Sequence, residues 1–431
     1  MAWENLTSDT DNPTARTDTT IHGPRSQASA VRQIRQHPYF WYFVAAGIFF
    51  LIVLVGILWG VFRGSPAPKA SSSSRGPRTL YVTAQKDKTD SFALIGDAVL
   101  KARPGDRIVV QKDVHEEQLL LKDGRYGNRV TIEGENPGGG HVIWRMPKNV
   151  KDHAFIELFT TEDLHLKGFT LDGDNRADDI VALFGRCPGL TLEDISCQGF
   201  NRSAVHISHC SGRADKPVSI ISLRATTVKK VEAALLFSFR QSIVDPRDND
   251  HIRISRCTFI GPYESAVELA GPEQNVEFQG NRFFEAESGF AYLPGKFSHP
   301  LQISIIANTF CNLKSGLTFE SLPQAANPVQ ESRIVLEKNL FAQTAVLAKV
   351  DKPPSSEQQK SGQTLQSLAK QLIQSSGNVH DPTSEEGNLP IDAVNVQFPP
   401  LPQNPNNEKE FLRYPKASPL TDKGSPGAPP E

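Results

Sequence analysis

Between about Asp163 and Val350 the chain repeats one short cassette, and this repetition restricts its fold more than any other feature. Clear copies are His251–Phe259, Asn275–Phe283, Gln302–Phe310 and Arg333–Phe341. Each opens on a short alternating apolar strand. In the last three an Asn, at 281, 308 and 339, precedes the closing Phe by two positions; the first copy has Cys257 in that slot. A second apolar run follows each copy: Ala266–Leu269, Phe290–Tyr292, Leu317–Phe319 and Ala345–Leu347. A unit of about two to three dozen residues with two or three strands cannot bury its apolar side alone. Stacking on further copies of itself provides the missing partner.

Rungs can be followed from Asp163 through strands centred on His165, Thr191, Ser219, Arg253, Glu277, Ser304 and Val335. Alternation sends the apolar neighbours of each inward and these seven residues outward, about 4.8 Å apart in a stacked coil. Arg253 beside Glu277 is then expected as a surface ion pair of small energetic weight. A second outward row runs through Ala182, His206, Glu268, Ala291 and Thr318, with the register around Leu235 and Ser238 left open. The Asn residues are expected to stack as an internal ladder, each amide bonding to the turn of the next rung.

Residues 1–38 are polar and aperiodic and suggest a disordered tail. Residues 39–62 follow as an uncharged apolar stretch bracketed by Tyr39, Trp41, Tyr42 and Trp59. About 20 such residues span a bilayer, and rings at both ends suit an aromatic belt. The expectation is one transmembrane helix, a signal anchor with its N-terminus cytoplasmic and the remainder periplasmic or otherwise extracytoplasmic. Residues 63–77, rich in Ser and Pro, make a flexible linker. Ser91–Ala102 has helical apolar spacing with Ser91 as N-cap, and Pro104-Gly-Asp106 ends it.

The run Ala102-Arg-Pro-Gly-Asp-Arg-Ile-Val-Val110, preceded by that helix and followed by Val130-Thr-Ile-Glu-Gly134, resembles the opening of pectate lyase-like right-handed parallel β-helix proteins, here of a membrane-anchored bacterial type. The resemblance implies an all-β fold over residues 78–350: a single-stranded right-handed parallel β-helix, or solenoid, with an N-terminal capping helix. Residues 351–431 are rich in Pro, Gln and Ser; Thr364–Ile373 can form a short helix there, and the segment is expected to pack on the coil.

Chemistry is written less plainly. Lys+Arg 46 against Asp+Glu 48 gives a net charge of -2, which argues against nucleic acid as a partner. Five Cys at no metal-binding spacing suggest buried apolar fillers. Among catalytic candidates, His206 and Glu268 lie on the second outward row. Leu171–Asp179 gathers Asp172, Asp174, Asp178 and Asp179 between two expected strands, a set of hard oxygen ligands suited to Ca²⁺. The pectate lyase resemblance adds a Lys or Arg base, for which Lys167 and Arg176 lie nearby, whereas ordinary turn chemistry explains the same Asp residues. Asp245–Asp250 is a second acidic loop. The polygalacturonase-type signatures Asn-Thr-Asp, Gly-His-Gly and Arg-Ile-Lys are absent, as are GxSxG, HExxH and P-loop motifs. The expectation is a non-catalytic, membrane-tethered domain that binds glycan or an envelope partner and needs no cofactor. A polysaccharide lyase or glycoside hydrolase and a structural envelope spacer stand as alternatives.

Overall fold

The structure is a computed structural model that describes residues 76–412, apart from scattered positions and short stretches, the longest being 84–89, 239–248, 294–300, 322–331 and 353–363. The tail, the apolar stretch 39–62, most of the linker, residues 245–248 and the end of the chain from 413 lie outside the described residues. Among the described residues no helix is long and apolar enough to cross a membrane.

Strand after strand pairs in parallel with the strand one turn later, so the chain coils into a β-solenoid. The first outward row appears residue for residue: His165, Thr191, Ser219, Arg253, Glu277, Ser304 and Val335 are successive partners. It extends backward through Thr131, Arg107 and Thr79 and forward to Gln374. Arg253 and Glu277 form their ion pair at 3.5 Å. The second row runs Leu120, Glu157, Ala182, His206, Leu236, Glu268, Ala291, Thr318 and Lys349, so Leu236 fills the position left open. Its middle is less exposed than an outward row implies, because Ala182 and Leu236 are both buried.

Inside, the cassette does two jobs. Phe259, Phe283, Phe310 and Phe341 stack with centroids 4.9–5.2 Å apart and interplanar angles of 9–14°. The Asn ladder runs beside them. Asn308 Oδ1 accepts from the Asn281 backbone N–H at 2.9 Å, Asn339 Oδ1 from that of Asn308 at 2.9 Å, and Asn378 Oδ1 from that of Asn339 at 3.0 Å. Each Asn therefore satisfies a buried turn donor that no strand ladder reaches. Asn378 lies beyond Val350, and the coil continues there: strand Ile373–Ser376 pairs with Arg333–Glu337, and Asn378–His380 with Leu340–Val350.

Two local expectations need correction. Helix α1 spans Ile95–Lys101, not Ser91–Ala102, and Ser91–Phe92 is a short strand beside Tyr81 and Val82. Leu94 occupies the N-cap without a side-chain bond. A distant carboxylate takes that role: Ile95 N–H donates to Glu117 Oε2 at 2.6 Å and Gly96 N–H to Oε1 at 2.8 Å. The acidic stretch Leu171–Asp179 is no loop between strands but lies inside one long strand, His165–Arg186. That strand turns a corner where Asp174 and Asn175 take φ of 51° and 55°, while pairing with the next rung persists on either side. Helix α2, Leu365–Leu372, matches the expected position; Thr364 caps it, and Ala369 and Leu372 enter the main core. Residues Leu401, Phe411 and Leu412 pack with Ile260, Cys311, Leu340 and Val379 on the coil's flank.

Candidate functional site

Two clusters stand on the second row, joined through its register. The first surrounds Glu268, which lines an open cleft of about 390 Å³ with Glu264, Glu287, Glu320, Asp351, Lys314, Lys349 and the hydroxyls of Ser265, Ser288, Ser315 and Thr318. The strands repeat Ser at one position, since Ser265, Ser288 and Ser315 are register partners on successive turns. Small side chains there let the hydroxyls bond along the stack: Ser315 Oγ lies 2.6 Å from Thr318 Oγ1, and Ser288 Oγ donates to Thr318 Oγ1 at 3.0 Å.

The acids around this polar strip differ in state. Glu287 is gripped by Lys314 at 2.8 Å and Lys230 at 3.0 Å, and those hydrogen bonds hold it below the usual carboxylate range. Lys349 pairs with Asp351 at 3.0 Å. Glu268 has no cation within ion-pair distance among the described residues. Burial pushes its carboxyl up to about 7, with repulsion from Glu232 and Glu264 adding to the effect. It is therefore a proton donor near neutral pH, in the same cleft as the lysine-bound Glu287.

The second cluster surrounds His206, two register positions from Glu268 along the row. His206 Nδ1 lies 3.0 Å from Asp179 Oδ2, and Nε2 lies 2.7 Å from Ser238 Oγ. Asp179 is 1% exposed; it also accepts from Ser203 Oγ at 2.7 Å and from Arg202 Nε at 2.9 Å. Burial alone would raise the Asp179 carboxyl, but the bonds from His206, Arg202 and Ser203 outweigh it and hold the group ionised. A carboxylate only accepts, so the imidazole carries its hydrogen on Nδ1 and offers Nε2 as acceptor to the Ser238 hydroxyl. Arg202 Nη2 also stands 3.2 Å from Nδ1. Phe184 meets the ring edge-on, with centroids 5.8 Å apart.

The other sequence candidates are placed apart. Asp172 is bound to Arg145 at 3.1 Å, Asp174 to Arg176 at 2.6 Å and Asp178 to His153 at 2.7 Å, while Asp179 turns to Arg202 and His206. Each of the four thus has its own basic partner, and among the described residues no three His, Cys, Asp or Glu converge to hold a metal ion. The Ca²⁺ reading gains nothing from this arrangement. Lys167 is engaged by Glu133 at 3.1 Å, its register partner one turn away, two residues along from the first row. Sequence reasoning named Asp179 only as a metal ligand and missed Arg202, Ser203 and Ser238. The parity of the strand Val231–Ser238, with Leu236 outward, was the signal that would have found Ser238. A larger groove of about 650 Å³ lies on the first row, where Arg253 is paired with Glu277 and His251 lies 2.7 Å from Asp250.

No family model matches this chain, and no curated protein matches it. Among solved structures, a polygalacturonase from Erwinia carotovora ssp. carotovora aligns with a TM-score of 0.45 and 12% sequence identity, over 70% of this chain and 84% of that one.

Proposed function

We propose that this chain is a membrane-tethered β-helix that binds a neutral or amino-substituted glycan in the Glu268 cleft. The carrying observation is the lining of that cleft: a strip of hydroxyls between five carboxyl groups and only two lysines. The strip offers the paired donors and acceptors that sugar hydroxyls need, and the two lysines of the lining, Lys314 and Lys349, are already held by Glu287 and Asp351 rather than left to pair with a uronate. The apolar stretch 39–62 supplies the anchor in this reading, with the coil outside the cytoplasm. The test is retention of the detergent-solubilised full chain on immobilised oligosaccharides. Binding to neutral or amino sugars that falls at least 10-fold in Thr318→Val supports the reading; retention on uronates alone, or on nothing, ends it.

A second reading, glycoside hydrolysis, is favoured by Glu268 itself. A carboxylic acid still protonated near pH 7, in the same cleft as the ionised Glu287, is the arrangement from which a leaving group can be protonated. Glu268→Gln would then lower product formation at least 100-fold while retention on the glycan persists. Undiminished cleavage by that variant removes Glu268 from the chemistry.

A further inference from the structure

Three consecutive turns of the coil contribute an acid, an imidazole and a hydroxyl to one point of the surface. Asp179 comes from His165–Arg186, His206 from Thr191–Ser211 and Ser238 from Val231–Ser238. Register explains the meeting. Ser203 is the partner of Asp179, His206 follows it by three residues, and Ser208 is the partner of Ser238. The chain of contacts is unbroken: Asp179 Oδ2 to Nδ1 at 3.0 Å, then Nε2 to Ser238 Oγ at 2.7 Å. Three further donors fix the carboxylate, so its orientation is set before any substrate arrives. His206 is mostly buried, Ser238 only partly.

We infer that Ser238 is a nucleophile activated by His206, with Asp179 as the positioning residue, in an acyl-transfer site that takes carboxylic esters. Such a constellation is recognised by geometry and roles rather than by sequence order, which is why the missing GxSxG motif does not bear on it.

Ser238 Oγ attacks the ester carbonyl carbon while its proton passes to His206 Nε2. The tetrahedral adduct collapses, the bond from carbon to the alkoxy oxygen breaks, and the imidazolium returns that proton to the departing alcohol. Water then attacks the acyl-serine, its proton goes to Nε2, and Ser238 leaves protonated as the carboxylic acid is released. No redox partner is needed. This site stands independently of the glycan reading.

The experiment treats the full chain in detergent with a fluorophosphonate, maps the adduct by peptide mass spectrometry, and follows hydrolysis of p-nitrophenyl acetate. The stoichiometric adduct is the primary readout, because it requires only the nucleophile and its base. The expected result is one adduct on Ser238, none on the fully buried Ser203, and labelling slowed about 100-fold in His206→Gln with an unchanged melting curve. Ser238→Ala abolishes the adduct. Absence of an adduct on Ser238 in the wild-type chain, or equal labelling rates in wild type and His206→Gln, overturns the assignment. The wild-type mapping depends on no variant folding.

Discussion

Replacing Asn308 by Ala removes one rung of the internal ladder, and the cost can be worked from its bonds. The residue is fully buried. Its Oδ1 accepts from Asn281 N at 2.9 Å and Asn281 Nδ2 at 3.0 Å, and its Nδ2 donates to Phe278 O at 3.0 Å. Truncation leaves the Asn281 N–H, one Asn281 amide hydrogen and the Phe278 carbonyl without those partners, where water reaches them poorly. Each orphaned buried polar group costs about 1–3 kcal/mol. Allowing for relaxation and partial hydration of the gap, the expected loss is about 3–5 kcal/mol. Ser304→Ala on the outward row of the same turn is the control, with a change within about 0.5 kcal/mol. The assay is urea unfolding of the full chain followed by far-ultraviolet circular dichroism, with m values compared before midpoints because neighbouring turns unfold cooperatively. A loss below about 1 kcal/mol at unchanged m would refute the ladder as a stabilising device.

Four further outcomes follow from specific contacts. Glu268 keeps its proton in the folded chain up to about 7, whereas an ordinary Glu loses it near 4.5. The folded state thus binds more protons between those values, and stability declines as pH rises through that window. Glu268→Gln should match wild type at pH 4 and exceed it above pH 7 by about 1–2 kcal/mol after discounting for partial exposure; a constant difference across pH contradicts this. Gly316→Ala places a Cβ 2.6 Å from Phe341 Cε1 and 2.7 Å from Leu347 O, so a loss of about 3 kcal/mol by urea titration is expected, and tolerance of Ala would argue against the tight ring stack. All five cysteines are buried and free. Although the hydrogen bond from Cys210 draws the Cys187 thiol down to about 7, a water-soluble disulfide reagent should modify none of the five until the chain is unfolded, and rapid native labelling would contradict their burial. Glu117→Ala uncaps α1 and removes the carboxylate 2.7 Å from buried His115; hydrogen exchange of the Ile95 and Gly96 amides should accelerate at least 10-fold, and unchanged exchange would show that the cap is dispensable.

The fold was legible because its signal recurs. Period-two alternation in Ile252-Arg-Ile254 or Ile303-Ser-Ile305 says which side chain points out, and repetition of the cassette gives the vertical partner, so the first row is readable from the sequence alone. Asn281, Asn308 and Asn339 were legible for the same reason. Asn378 was not, because a long insertion separates it from the preceding turn and no Phe follows it two positions later. The start of α1 was missed because its cap is a side chain more than 20 residues away, and local capping rules see only neighbours.

The candidate site divides in the same way. Sequence by itself determined that the chain stacks into a coil, which residues of each short strand face inward or outward, and that His206 and Glu268 share one row two turns apart. Only tertiary structure decided what those outward residues meet. Whether Asp179 joins the other acids or turns to His206 depends on how the strand bends at Asp174 and Asn175, and no periodicity encodes a corner. Whether Glu268 holds its proton depends on burial and on Glu232 and Glu264, which lie on other positions of the surface. Alternation is a property of one strand and survives in the sequence. Convergence of side chains is a property of several turns at once, fixed by register and bending that arise only when the coil has closed.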